Sequence, residues 1–136
     1  MTATATDTTT PHAYETKDSG SRVRTASGMQ REVKTDQPRF DLLVPLTVPY
    51  PEQLLTRTAA LVERGARKYE SRDWEQASTE AEAEEFRASA FRHFMQWMCG
   101  EDDEDHAAAV VFNVLAAETT ATVMARRAAE TEEAAR

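Results

Sequence analysis

The sequence predicts an all-α fold, a small bundle of three main helices. Alanine-rich segments with few aromatics (7% of residues, against 40% hydrophobic overall) suit helix packing. Apolar residues recur at three- and four-residue spacing through three long segments. There is no internal repeat and no convincing strand. A chain of 136 residues is enough for one domain and not two.

Residues 1–20 are Thr, Ser, Ala and Asp with Pro11 and Gly20, too little apolar surface to offset ordering entropy, so a disordered tail is expected. Residues 21–49 read as an irregular basic arm interrupted by Gly28 and Pro38, with Phe40, Leu42 and Leu43 expected to dock it on the core. Arg22, Arg24, Arg31, Lys34 and Arg39 concentrate positive charge there. The helical domain spans 50–136. Its first helix (about 51–70) opens at Pro51-Glu52, a tolerated proline and a dipole-complementing acid. Leu54, Leu55, Ala59, Leu61, Val62, Ala66 and Tyr69 form its apolar face, and a short loop containing Trp74 follows.

The second helix (about 79–99) is capped by Thr79. Its expected core stripe is Phe86, Ala90, His93, Phe94 and Trp97, widened by Phe91, Met95 and Met98. Gly100 breaks it, and five acids, Glu101 to Asp105, run into the third helix (about 103–130). Ala107, Ala108, Val111, Val114 and Leu115 are its expected core face. Beyond Val123 the chain still favours helix with little to pack.

The net charge is −8. Residues 1–41 balance six bases against six acids, so residues 42–136 carry the whole deficit, ten bases against eighteen acids. An acidic domain is poorly suited to gripping nucleic-acid backbone. Cys99 is the only cysteine, so no intramolecular disulfide forms and a reducing compartment is expected. The N-terminus has no secretory pattern, and no apolar run of ~20 residues was expected to span a membrane. The reading is a cytoplasmic protein. Phosphate-loop, dinucleotide-fold, paired-cysteine and HExxH motifs are absent.

The chemistry concentrates in Phe91–Asn113. Acids at a helix N-terminus complement its dipole, which alone accounts for a soluble corner. Hard carboxylate oxygens are equally what a divalent ion such as Mg²⁺ takes. Helical spacing places Glu104 on the core face, and Asp102, His106 and Asn113 on an adjacent one. His93, on an apolar stripe, reads as a core imidazole, a partner of the acid run or a phosphate contact. Arg92 offers a planar fork for phosphate. Asn113 among valines needs hydrogen-bond partners. Glu63 and Glu75 could add carboxylates from across the bundle. Lys68 and Tyr69 read first as a salt bridge and core.

The blocks GSR (20–22), SGMQRE (27–32), PRFDLLVP (38–45), ERGARKYESRDWE (63–75), FRHFMQW (91–97) and DEDHAAAVVFN (103–113) together resemble the phage-encoded dATP/dGTP diphosphohydrolase N-terminal domain family. That family is similar to the MazG-like all-α nucleotide pyrophosphohydrolases. The resemblance spans about residues 20–118. It implies a helical bundle, often dimeric, with Mg²⁺ (or Mn²⁺) held by helix-borne acids. The implied reaction converts a deoxynucleoside triphosphate to the monophosphate and pyrophosphate. It implies Glu63, Glu104, Asp105 and His106 as metal ligands and Glu104, Asp105 and His93 as catalytic. Lys68, Arg92, Asn113 and Trp74, with Arg31 and Arg39 of the arm, become substrate contacts. The chain departs from the family pattern at Asp73, where asparagine is usual, and at Asp36-Gln37-Pro38, where Gly-Lys-Gly is usual. The ExxE and ExxD pair of the MazG-like proteins is not in standard form. A non-catalytic module sequestering a nucleotide or a host protein on the same scaffold is the alternative.

Overall fold

The computed structural model describes residues 5–7, 14–33 and 37–136, with residues 5–7 and 14–15 described by backbone alone. The chain divides into two units, Met1–Leu43 and Val44–Arg136.

The first unit holds two short antiparallel pairings where no strand was expected. Strands β1 (Ala5–Asp7) and β2 (Tyr14–Thr16) pair with Ala5 opposite Thr16. Much of the tail expected to be disordered lies outside the described residues, as does Lys34. Strands β3 (Arg22–Arg24) and β4 (Gln30–Glu32) form a hairpin with Val23 opposite Arg31. Its turn is closed by Gly28 N–H donating to the Thr25 carbonyl and Thr25 N–H donating to that of Met29, each 2.8 Å. Gly28 sits at φ +87°, the left-handed position that a three-residue hairpin loop reserves for glycine. Phe40, Leu42 and Leu43 lie on one 3₁₀ turn with exposed side chains.

The second unit is the expected bundle: α1 (Leu54–Lys68), α2 (Glu80–Met98) and α3 (His106–Ala134). Thr79 and Glu82 begin α2 with a variant of the capping box, in which Glu82 reaches the residue before the N-cap. Thr79 Oγ1 accepts from Glu82 N–H, and the Glu82 carboxylate accepts from Ser78 N–H, both at 3.2 Å. Gly100, at φ +76°, ends it: Gly100 N–H donates to the Trp97 carbonyl and Glu101 N–H to that of Gln96. That six-to-one closure needs a left-handed residue after the cap, and it turns the acid run back toward α1.

The buried face of α3 is His106, Ala108, Ala109, Asn113, Ala116, Ala117 and Thr120, and α3 packs most extensively on α2 and also on α1. This corrects the expected face, because Val114 and Leu115 are half exposed. Small side chains let the two backbones approach, so alanines take the seam and the larger residues are rotated to its flanks. The expected α2 stripe is likewise open: Phe91, Phe94, Met95, Trp97 and Met98 remain substantially exposed. Trp74, on a 3₁₀ turn between α1 and α2, packs edge-on against Phe112 of α3, whose other neighbour is Phe86. By length and composition α3 could cross a membrane, a property an alanine-rich core helix shares.

Candidate functional site

The site is built where α3 begins. Asp105 is its N-cap, with Oδ1 accepting from Ala108 N–H at 3.1 Å. The same carboxylate is gripped by Arg57 of α1, Nε to Oδ2 and Nη2 to Oδ1, both 2.8 Å. The guanidinium holds the Asp105 carboxyl below its ordinary range. A fork of this kind ties α1 to the first turn of α3 and fixes where the acid run lies.

Since the helix starts at His106, a helical register cannot be extended back to Glu104. Glu104 is exposed and faces two clefts, which corrects its expected place on the core face. His106 is the reverse case, an imidazole with 2% exposure at the head of a helix. Both its nitrogens are engaged: Nε2 lies 2.7 Å from Asp103 Oδ1, and Nδ1 lies 2.9 Å from Nδ1 of His93. The imidazole holds the Asp103 carboxyl below its ordinary range. Burial, then the neighbouring Arg92 charge, pushes His93 down, favouring the neutral ring.

Among the described residues, two sets of side chains could hold a cation. His93, Glu104 and His106 bring one ligand atom each within 4.8 Å of one another, and so do Glu101, Asp103 and His106. Carboxylate oxygens with imidazole nitrogens are a donor set that a divalent ion accepts, so these residues fit one. A cleft of about 500 Å³ adjoins them, lined by Leu61, Arg64, His93, Asp103, Glu104, Asp105, Ala109, Phe112 and Asn113. Asn113 donates from Nδ2 to the Ala109 carbonyl at 2.8 Å, which leaves Oδ1 for a ligand. Leu61 and Phe112 also border a second, apolar cavity of about 280 Å³ that contains Gly65, Tyr69, Trp74 and Phe86.

The structure therefore gathers His93, Glu104, Asp105 and Asn113 around one cleft, with His106 immediately behind them. It places other expected residues elsewhere. Glu63 is exposed and pairs with Arg67 at 2.6 Å, one turn along α1, and belongs to neither cation set. Lys68 lies over the Tyr69 ring, and Trp74 lines the apolar cavity. Arg92 is exposed beside His93. Arg31 and Arg39 belong to the first unit, where Arg39 pairs with Asp41. Asp103, Arg57 and Arg64 were missed. The signal for the arginines was available: Arg57, Leu61, Arg64 and Lys68 share one helical stripe, a basic ridge that an acidic corner can meet.

A helical unit with an acid–imidazole corner, and a cleft carrying both that corner and a guanidinium, defines a class: an all-α domain suited to a cation and a phosphorylated ligand. The family model for dATP/dGTP diphosphohydrolase, N-terminal, matches residues 27–131, and the chain belongs to that family. No curated protein and no solved structure matches it.

Proposed function

We propose that this chain hydrolyses purine deoxynucleoside triphosphates, with Mg²⁺ or Mn²⁺, to the monophosphate and pyrophosphate. The observation that carries this is the meeting of His93, Asp103 and Glu104 at one cleft with Arg64 and Asn113, with His106 bonded to His93 and Asp103 behind them. The family's description supports the substrate class. The bound cation would supply charge neutralisation at phosphorus and an activated water. Glu104 and His93 would hold it, while His106 would join only by releasing Asp103 or His93 and Asp105 only by giving up Arg57. Arg64, Arg92 and Lys68 offer cations to the phosphate oxygens, and Asn113 Oδ1 accepts a hydrogen bond in the same cleft. The base enters the apolar cavity beside Trp74, next to the cleft across Leu61 and Phe112.

The open apolar stripe on α2 supports a homodimer or higher homo-oligomer in which a second copy covers it. The setting consistent with this chemistry is the nucleotide pool of a phage-infected bacterial cytoplasm. Incubation with dATP, dGTP, dCTP and dUTP, with and without Mg²⁺, tests the proposal. Cation-dependent pyrophosphate release, lost in Glu104→Gln, is expected. Tight binding of dGTP without turnover would favour a sequestering module, a reading to which the engagement of Glu63 and Asp105 by arginines lends weight.

A further inference from the structure

We propose that Gly65 is the size-determining residue of the base pocket: its missing side chain is a notch in α1 that admits the flat ring of a purine. The inference rests on the reading above that puts the base beside Trp74, and it assigns the residue that decides which ring enters.

A glycine three residues before the end of α1 is a poor choice for the helix itself, because alanine there would hold the backbone better. A left-handed backbone or the close approach of another element ordinarily keeps a glycine in place. Neither applies here. The glycines with positive φ are Gly20, Gly28 and Gly100. A Cβ built on Gly65 would meet nothing within 4 Å among the described residues. The space before it belongs instead to the apolar cavity that it lines.

One turn either way, the same helix face carries Leu61 and Tyr69, which line that cavity too. Gly65 is therefore a gap in an otherwise continuous apolar face. Other walls are aromatic: Trp74 and Phe86 each meet Phe112 edge-on, at centroid distances of 5.7 and 6.4 Å. Aromatic walls with a gap one side chain deep suit a flat ring that packs by its face. Glu70 and Asp73 also line the cavity, and carboxylates accept from the N–H groups of a base edge, which a hydrocarbon guest lacks. At about 280 Å³ the space is small for a whole nucleotide. The phosphates belong to the adjoining cleft of about 500 Å³, across Leu61 and Phe112.

The test titrates dGMP, in EDTA, into the full chain and into Gly65→Ala and Gly65→Leu, following the Trp74 indole in ¹H–¹⁵N spectra. Neither a cation nor turnover enters this readout. In the wild type dGMP is expected to shift the Trp74 resonance. Gly65→Ala should weaken dGMP about 10-fold, the low end of what one methylene decides in an apolar pocket, and Gly65→Leu by about 100-fold or more. With its smaller ring, dCMP should lose less in Gly65→Ala. Tm should rise by about 3–8 °C in Gly65→Ala, because helix propensity improves and nothing is displaced. A Trp74 resonance untouched by dGMP, equal affinity in all three proteins, or a lower Tm in Gly65→Ala would each overturn the proposal. So would an oligomer that dissociates in Gly65→Leu, which would mark the glycine as a contact between copies. The hydrolase reading fails separately. Affinity for dGMP governed by Gly65, with no pyrophosphate released from dGTP, refutes hydrolysis and leaves the pocket standing. Mg²⁺-dependent release undiminished in Gly65→Leu refutes the pocket and leaves hydrolysis standing.

Discussion

Replacing Asp105 by asparagine and, separately, by alanine divides two jobs that its carboxylate does at once. Asparagine caps a helix about as well as aspartate, so Asp105→Asn removes chiefly the charge that Arg57 grips. The pair is partly screened, with side chains 40% and 23% exposed, but its bidentate geometry puts it near the top of the exposed-pair range, about 1 kcal/mol. Asp105→Ala also loses the acceptor for Ala108 N–H, a further ~1 kcal/mol. At roughly 4–8 °C per kcal/mol for a domain of this size, Tm should fall by about 4–8 °C for asparagine and about twice that for alanine. Thermal unfolding followed by circular dichroism at 222 nm measures both. If asparagine costs as much as alanine, or if neither lowers Tm, the corner is not held together in this way.

Glu104→Gln should cut cation-dependent turnover by about 100-fold, equivalent to ~2.7 kcal/mol of transition-state stabilisation, with Tm unchanged because Glu104 is exposed and outside the helix. Trp74→Ala should raise KM for dATP and dGTP by about 5- to 150-fold if the ring stacks on the base, read from initial rates. Ala116→Leu, at a position with no exposure in the α2–α3 seam, should cost about 1–3 kcal/mol in urea unfolding by overpacking. Acid should destabilise the fold with a definite sign. Asp103 and Asp105 are held below the ~3.9 of an unfolded aspartate. Their contribution is complete above that value and is lost as pH falls through their folded values. The urea midpoint should begin to fall below about pH 6.5, where the unfolded chain protonates a histidine that the folded His93 keeps neutral, and drop further below pH 4, less steeply in Asp105→Asn; a level midpoint down to pH 3 would contradict this.

The three helices were legible because their apolar spacing and caps are local. Thr79 and Gly100 mark boundaries through their own backbone preferences, whatever packs on them, whereas Pro51, expected to open the first helix, sits on a separate 3₁₀ turn, Tyr50–Glu52, and α1 starts after an extended Gln53. The first turn of α3 was not legible in the same way. A run of acids offers several N-caps, and the choice of Asp105 is coupled to Arg57, 48 residues away. Beginning the helix two residues after Glu104 moved that side chain from the expected core to the cleft. The seam of α3 was misjudged because valine and leucine outrank alanine in hydrophobicity, whereas close helix approach selects for small size. The hairpin at Arg22–Glu32 escaped notice because three-residue strands are too short for an alternating pattern. His93 and Asn113 stood out as polar residues on apolar faces. Asp103 could not be separated from its four acidic neighbours until His106 was seen to select it.

Hydrolysis of dGTP in ¹⁸O-water, with Mg²⁺ or Mn²⁺ and product resolved by ³¹P spectroscopy, addresses the cleft's assigned chemistry most directly. Attack at the phosphorus next to the sugar puts the heavy oxygen in dGMP and releases unlabelled pyrophosphate in equal amount. Label in pyrophosphate, release of dGDP and inorganic phosphate, or intact dGTP after prolonged incubation would contradict it.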